Sequence, residues 1–462
     1  MEETVFSLAE EVKTLVEEKN FSKLRATLRE YNPADIAEAF CEVGEAFFPV
    51  AYRLLPKELA AEVFVDMEPT FQKVLIGAFS DYELKLILDE LYLDDTVDLI
   101  EEMPANVVSR ILRNSSPAER KTINELLKYP DDCAGSIMTT EYVNLKQDMT
   151  VEDALSYIRR VAIDRETIYT CYVTSPGRKL MGIVSAKALM ISPLYTKVED
   201  IMEQNVISVS THTDKEEVGN MFGKYGFLAL PVVDTENRMV GIITVDDAID
   251  VIKEEAEEDF TVMAAMTPSE TPYLRTSTFS IWKSRIPWLI LLTLSATFTG
   301  MIISTFEASL SACVALTAFI PMLMGTGGNS GSQSSVTVIR GLSMGEIRFS
   351  DILRVIWKEV RVSLLCAVTL AAVTYLKIYL IDYLLLHSLE PGEMLTVPIV
   401  VCLTMAVTVI CAKLIGCILP ILAKKLGFDP AVMAAPFITT IVDALSLVVY
   451  FAIAVSIIPG LS

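Results

Sequence analysis

Two histidines and eight cysteines are all that this 462-residue chain offers to a soft or borderline metal. His212 and His387 are far apart in sequence, and no cysteines pair as CxxC. An imidazole- or thiolate-rich zinc or copper site is therefore excluded, and any metal must be held by oxygen. Five of the cysteines (Cys313, Cys366, Cys402, Cys411, Cys417) lie in apolar stretches. That placement fits small buried side chains in a reducing cytosol, not a disulfide framework. The opening Met-Glu-Glu-Thr has no basic region, so no secretory signal is expected there. The chain also lacks a recognisable nucleophile–base pair and a phosphate-cradling loop, which argues against an enzyme.

Base is scarce in the first part and acid in the second. Residues 1–269 carry 50 acids against 26 bases, near −24, while residues 270–462 carry 10 acids against 12 bases, near +2, which sums to the overall −22. With a mean hydropathy of +0.44, such a chain is split between two solvents, water first and lipid second. The acidic part would repel nucleic acid and anionic lipid. Cations are its natural counter-charge, and solubility alone is the other use for the excess.

Residues 1–130 read as short helices forming a small superhelix. Prolines recur at Asn32-Pro33, Leu55-Pro56, Glu68-Pro69, Met103-Pro104 and Ser116-Pro117, positions suited to helix starts, where a missing N–H matters least. Ser116 to Glu119 fits a capping box. From residue 137 an internal repeat of about 60 residues appears. Ile137-Met138 recurs as Ile201-Met202, and Leu180-Met181-Gly182-Ile183-Val184-Ser185 recurs as Met239-Val240-Gly241-Ile242-Ile243-Thr244. These units resemble a tandem pair of cystathionine-β-synthase-type (CBS) domains. The resemblance implies a site for ATP or another adenine nucleotide at the Gly-Ile-x-Thr-x-x-Asp segment, present only in the second repeat through Thr244 and Asp247. Ala188 replaces the acid in the first repeat. A purely structural or cation-sensing pair is the alternative. Val245 to Thr267 then reads as one acidic helix leading to the first apolar stretch.

Apolar stretches near 286–306, 308–338, 362–385, 396–423 and 431–458 each reach the ~20 residues that cross a bilayer as helix. Bases gather before the first (Lys283, Arg285), between the second and third (Arg340, Arg348, Arg354, Lys358, Arg361) and between the fourth and fifth (Lys424, Lys425). The loop after the third holds His387, Glu390 and Glu393. Basic loops stay inside, so the acidic part is expected in the cytoplasm and the C-terminus outside. The second stretch contains Gly325-Thr326-Gly327-Gly328-Asn329-Ser330-Gly331-Ser332-Gln333. Either this run is unwound and lines a cavity, or its small residues let helices pack closely. Asp443 is the lone acid of the fifth stretch, about 12 residues in from Ala431, where a carboxylate is a functional candidate by default. Lys413 is read as a structural base whose stem snorkels toward the Lys424 end. Glu307 is placed at the outer mouth, either concentrating cations or simply solvated.

Taken together, the five stretches, the glycine-rich run and Asp429-Pro430 followed by Pro436-Phe437-Ile438-Thr439-Thr440-Ile441-Val442-Asp443 resemble the MgtE family of magnesium channels. The helical region, CBS pair and acidic helix come in that family's order. The resemblance implies a multidomain fold: an all-α N-terminal superhelical domain (1–130), α/β CBS domains (131–200 and 201–247), an acidic connecting helix (248–275) and a five-helix membrane domain (276–462). It implies a homodimer in a bacterial cytoplasmic membrane, with a pore metal site at Asp443, Thr439 (through its carbonyl) and Asn329. It also implies a regulatory metal site drawn from Asp94, Asp98, Glu216, Asp247, Asp250, Glu255, Glu258 and Asp259, and the three- and four-residue spacing of the acids adds Asp95 and Glu254. Gly226 stands where the family can have an acid. The physics agrees, because Mg²⁺ gives up water reluctantly and is satisfied by one or two carboxylates plus retained waters. The expected function is a Mg²⁺-selective channel closed by cytosolic Mg²⁺. A proton- or Na⁺-coupled divalent transporter is the alternative, and a membrane-anchored nucleotide sensor a third.

Overall fold

The computed structural model describes residues 2–44, 46–268, 273–274, 276–387, 389, 394–433 and 435–458. Glu390 and Glu393, which the sequence places in an outer loop, lie outside them. The chain forms two compact units, Met1–Ile252 and Lys253–Ser462.

The first unit begins with ten helices. They are α1 (Glu2–Glu17), α2 (Phe21–Leu28), α3 (Pro33–Val43), α4 (Phe48–Tyr52) and α5 (Lys57–Val65), followed by α6 (Pro69–Ala78), α7 (Asp81–Leu88), α8 (Leu93–Glu102), α9 (Ala105–Asn114) and α10 (Pro117–Leu126). The prolines sit where the sequence suggested. Pro33, Pro69 and Pro117 open α3, α6 and α10, and Pro56 and Pro104 cap α5 and α9. Ser116 and Glu119 form the expected capping box, and Ser80 with Glu83 forms a second. Each box satisfies two backbone donors that a helix start leaves open. Leu24, Leu28, Phe40, Phe48, Phe64 and Leu75 fill the interior.

Two matching three-stranded sheets follow. The first holds β1 (Tyr142–Leu145), β2 (Thr167–Thr174) and β3 (Leu180–Ser185), and the second β4 (Val209–Ser210), β5 (Ala229–Val233) and β6 (Met239–Thr244). In each, the first pair is parallel and the second antiparallel. Helices α11 (Val151–Val161) and α12 (Ala186–Ile191) belong to the first repeat, and α13 (Val198–Ile201) and α14 (Lys215–Tyr225) to the second. The repeated Ile-Met and Gly motifs interlock crosswise. A Cβ on Gly241 would stand 2.5 Å from the Thr139 carbonyl and 2.9 Å from Met138 Sδ, and one on Gly182 would stand 2.9 Å from both the Glu203 carbonyl and Met202 Sδ. Each repeat thus supplies the methionine that covers the other's strand glycine. Helix α15 (Val245–Met263) leaves β6 without a break.

In the second unit, α16 (Thr278–Thr305), α17 (Glu307–Ala312), α18 (Ile320–Ser343), α19 (Ile352–Lys377, extended by a π-helical turn to Leu385), α20 (Thr396–Lys425) and α21 (Ala435–Ile457) follow in order. Among the described residues, four segments are long and apolar enough to cross a membrane: Thr278–Thr305, Phe349–Leu385, Thr396–Lys425 and Pro430–Ile457. The stretch expected as a span from residue 308 is instead the short α17, a 3₁₀ turn over Val314–Phe319 and then α18. Helix α18 has 24 residues, enough for a bilayer, but its Gly, Ser, Thr and Asn dilute its apolarity.

The glycine-rich run is helical throughout α18, which overturns the unwound reading. The reason is packing. A Cβ on Gly327 would meet Thr408, Ser446 and Val442 within 3.0 Å, one on Gly328 would meet Thr439 Cγ2 at 2.8 Å, and one on Gly331 would meet Ile438 Cγ2 at 2.7 Å. A Cβ on Gly416 of α20 would collide with the Gly331 carbonyl. With all backbone groups bonded inside the helix, no unwinding is needed, and the small residues serve close approach. Leu289, Ile290, Leu291, Leu294 and Phe298 of α16 are exposed, as a lipid-facing helix requires.

Candidate metal sites

In the first unit, α8 starts after Tyr92 with Leu93, and the Leu93 N–H donates to Glu141 at 3.1 Å. That anchors the helix so that Asp94, Asp95 and Asp98 project toward the start of α15. A cavity of about 880 Å³ lies there. Its walls include Asp94, Asp95, Glu141, Asp164, Glu166, Asp246 and Asp247, with Glu58, Glu62 and Asp66 further along, and no lysine or arginine. Asp94 is 8% exposed, and its Oδ1 is buried without a hydrogen-bond partner among the described residues.

Burial and crowding act together on these acids. Burial pushes Asp94 well above the usual carboxylate range, reinforced by Asp95 and Asp247. Asp95 is raised to about 7 by burial and then Asp247, and Asp98 to about 8 by burial, Asp247 and Asp95. Glu166 reaches about 8 through burial, Asp95 and Asp247. Asp247 is raised too by burial, opposed by hydrogen bonds from the Thr244 hydroxyl and N–H. Shifts in this direction mean that the charged forms are unwelcome unless a cation joins them.

The structure therefore brings together Asp94, Asp95, Asp98 and Asp247, and Asp250 is near enough to raise Asp66. Glu216 is elsewhere, in the first turn of α14 and off the cavity wall. Thr244 and Asp247 bond to each other across the start of α15, whereas in the first repeat Ser185 caps α12 with Ala188 in the acid's place. Sequence reasoning missed Glu141, Asp164, Glu166 and Asp246. Apart from Asp246, beside Asp247, they come from distant loops that no spacing rule connects. Among the described residues no three Asp, Glu, His or Cys side chains stand ready as a preformed metal cage. Carboxylates set wider apart than direct ligands suit an ion that keeps part of its water.

Glu254, Glu255, Glu258 and Asp259 belong to the second unit. Asp259 accepts a hydrogen bond from Ser343 at 3.2 Å, and burial raises its carboxyl with Asp429 adding to the effect. Glu254 and Glu258 are exposed on α15, and Glu307 is exposed in the first turn of α17.

Asp443 lies in the middle of α21, and its Oδ1 is buried with no partner among the described residues. Thr439 is one turn earlier, against Gly328, and Asn329 follows directly. Gly325, Asn329 and Gln333 recur at intervals of four and are all exposed, a polar stripe along an otherwise apolar unit. Lys413 corrects the sequence reading. It does not snorkel; it is 5% exposed, with Nζ 3.3 Å from Ser334 Oγ. A partner inside the helix packing outcompetes the route to the surface.

The family model for MgtE, "Divalent cation transporter", matches residues 320–453. Its intracellular N domain matches 31–132, and the CBS domain matches 134–193 and 198–254. The magnesium transporter MgtE of Thermus thermophilus is 36% identical over 97% of this chain and 98% of its own. That of Bacillus subtilis is 35% identical over 97% of this chain and 96% of its own. Among solved structures, the cytosolic domain of the Mg²⁺ channel MgtE in complex with ATP is 38% identical with a TM-score of 0.50, covering 53% of this chain and 99% of that one. The soluble part of a magnesium transporter is 30% identical with a TM-score of 0.51, over 55% and 99%. Helical domain, CBS pair, multi-pass helical region and near-complete coverage agree: the chain belongs to the MgtE family of magnesium transporters, a family of transport proteins and not of enzymes.

Proposed function

We propose that the chain is a homodimeric, Mg²⁺-selective channel of a bacterial cytoplasmic membrane, closed when cytosolic Mg²⁺ fills its acidic cleft. The observation that carries the reading occurs in both units: a buried carboxylate oxygen without a donor, Asp94 Oδ1 in one and Asp443 Oδ1 in the other. A buried polar atom without a partner is rare and needs a reason, and a divalent cation supplies one for an acid.

In the membrane unit, Asp443 is the acid of the ion path, with the Thr439 carbonyl and Asn329 as neighbours. The exposed stripe Gly325, Asn329 and Gln333 supports pairing of two copies, because a polar helix face is costly against lipid and suits a watery seam. Two Asp443 carboxylates would then flank one hydrated ion. Glu307 stands at the outer entrance. The basic residues Arg348, Arg354, Lys358 and Arg361 before the apolar part of α19 support a cytoplasmic first unit and an outer C-terminus.

In the first unit, Mg²⁺ replaces the protons that Asp94, Asp95, Asp98 and Glu166 otherwise retain. Asp247 and Asp250 carry the acid onto the start of α15, and Glu254, Glu255, Glu258 and Asp259 continue it along the same helix. Ion binding holds that helix in its closed setting, and Glu216 adds a peripheral carboxylate. When Mg²⁺ is scarce, repulsion frees α15 and the path opens. A coupling of about 1–3 kcal/mol per site, over several sites, moves such an equilibrium decisively. One adenine nucleotide per chain, ATP being bound by a relative's cytosolic domain, would use the Thr244–Asp247 segment. Flux in liposomes, with Mg²⁺ varied separately on each side, tests the whole. Uptake should follow the gradient without proton movement and fall as Mg²⁺ on the cytosolic side rises. Proton-linked uptake, or no response to cytosolic Mg²⁺, overturns it.

A further inference from the structure

Lys413 is the only base of α20 before its terminal Lys424-Lys425, and Glu359 is the only acid of α19. Lys413 lies within the apolar length of α20, where an unpaired charge is strongly disfavoured. Glu359 is half-buried on α19 between Lys358 and Arg361, at the head of that helix's apolar part. They meet through a third helix. Lys413 Nζ lies 3.3 Å from Ser334 Oγ on α18, and that same hydroxyl donates to Glu359 Oε2 at 2.8 Å. Ser334 is 2% exposed and Lys413 5%. The hydroxyl accepts from the ammonium and donates to the carboxylate, so both of its roles are used in one direction.

This chain of contacts sits at the tightest packing of the unit. Ala412, beside Lys413, has its carbonyl 3.2 Å from where a Gly331 Cβ would be, and one turn on a Cβ on Gly416 would collide with the Gly331 carbonyl. The same Gly331 Cβ position also meets Ile438 and Val442, the residue before Asp443. Ala412, Ile438 and Val442 form one small buried cluster. A movement of α18 against α20 therefore displaces both Asn329 and the turn that carries Asp443.

We propose that Lys413, Ser334 and Glu359 are positioning residues that set the spacing between Asn329 and Asp443 along the ion path, without touching the ion. The proposal rests on the reading of α18 and α21 as that path. Removing one charge leaves the other without its counter-charge at a contact that is buried on the Lys413 and Ser334 side, whereas removing both is tolerated far better. The bridging serine can be removed with both charges kept.

The experiment is Mg²⁺ uptake by the full-length protein in liposomes, read as maximal flux and half-saturating Mg²⁺ for S334A, K413R, K413M, E359Q, K413M/E359Q and D443N. S334A should raise half-saturating Mg²⁺ about fivefold while its thermal unfolding stays near wild type, since a protein merely lost to misfolding lowers maximal flux and leaves half-saturation alone. K413M should lose flux at least ~tenfold, K413R should return within about threefold, and K413M/E359Q should exceed K413M, as expected for a coupled pair. Wild-type half-saturation in both S334A and K413R, or a double variant no better than K413M, overturns the proposal. Should K413M fail to assemble, S334A and K413R decide alone. D443N separates the layers: normal flux in D443N removes the underlying path, while lost flux in D443N beside an unaltered S334A removes only the positioning role.

Discussion

Asp94, Asp95, Asp98, Asp247 and Glu166 crowd one another at the start of α8 and α15, whereas Asp443 stands on α21 with no second acid on its helix. In the crowd, each carboxylate makes its neighbours harder to ionise, so the cluster holds protons or cations in proportion to their supply. A lone carboxylate has no such collective response. On the proposed reading it would meet one ion at a time, with only the second copy's Asp443 beside it, and with Mg²⁺ still partly hydrated would let it go. On the proposed function the same side chain would serve as a gauge in one unit and a stepping stone in the other, and the difference would be how many like charges crowd it.

The largest effect should come from the lone acid. Asp443→Ala is expected to abolish Mg²⁺ uptake by liposomes, and Asp443→Asn to reduce it at least ~tenfold, since an intramembrane acid carries its site alone. Dimers should persist on native gels; sustained uptake by the alanine variant would erase the contrast. Next comes the crowd. Replacing Asp94, Asp98, Asp250 and Glu258 together with Asn or Gln should raise the cytosolic Mg²⁺ needed for half-inhibition by about tenfold or more, the scale of a 1–3 kcal/mol coupling per site. Open-channel conductance should be retained, and Mg²⁺ should protect the cytoplasmic unit from protease less well. An inhibition curve that overlays wild type would reduce the acid to a solubility device.

A third test separates packing from charge. Gly328→Ala puts a methyl on Thr439 and should destabilise the membrane unit by about 1–3 kcal/mol, as overpacking does. Its thermal unfolding should shift while the Mg²⁺ response of the cleft does not. A fourth concerns protons. Asp95, Asp98 and Glu166 titrate near 7 to 8 when folded, far above the ~4 of an unfolded acid. The folded state therefore binds more protons than the unfolded state between those values. Without Mg²⁺, stability should fall as pH rises from 6 to 8.5, and millimolar Mg²⁺ should flatten the slope. Stability that rises over this window would deny the crowding. The smallest effect is stoichiometric: calorimetry should find one adenine nucleotide per chain, weakened by Asp247→Ala, and two equal sites would refute the asymmetry between repeats.

Much of this could be read from the chain itself. Proline beside a capping residue marked helix starts because a missing N–H matters only in a helix interior. The Ile-Met and Gly repeats marked the CBS pair because each is one half of a crosswise contact. Asp94 and Asp98 came from the family resemblance, with which their i, i+4 spacing on α8 agrees. Other features depend on which segments meet. Glu141 and Glu166 enter the cleft from loops, where no period records their direction. The glycine-rich run permitted either unwinding or close packing, and only Thr439, Val442 and Ile438 across the gap decide between them. Lys413 looked able to reach the surface because its partner Ser334 is 79 residues away.

The crosswise seating of Met138 on Gly241 and Met202 on Gly182 has a consequence for how the first unit inherits change. Neither repeat is a self-sufficient module. Cutting the chain between them would leave each half with a bare glycine notch and a methionine with nothing to cover. A side chain gained at either glycine would have to be matched by a smaller residue in the other repeat. The two halves, once copies of each other, are bound to evolve as a couple.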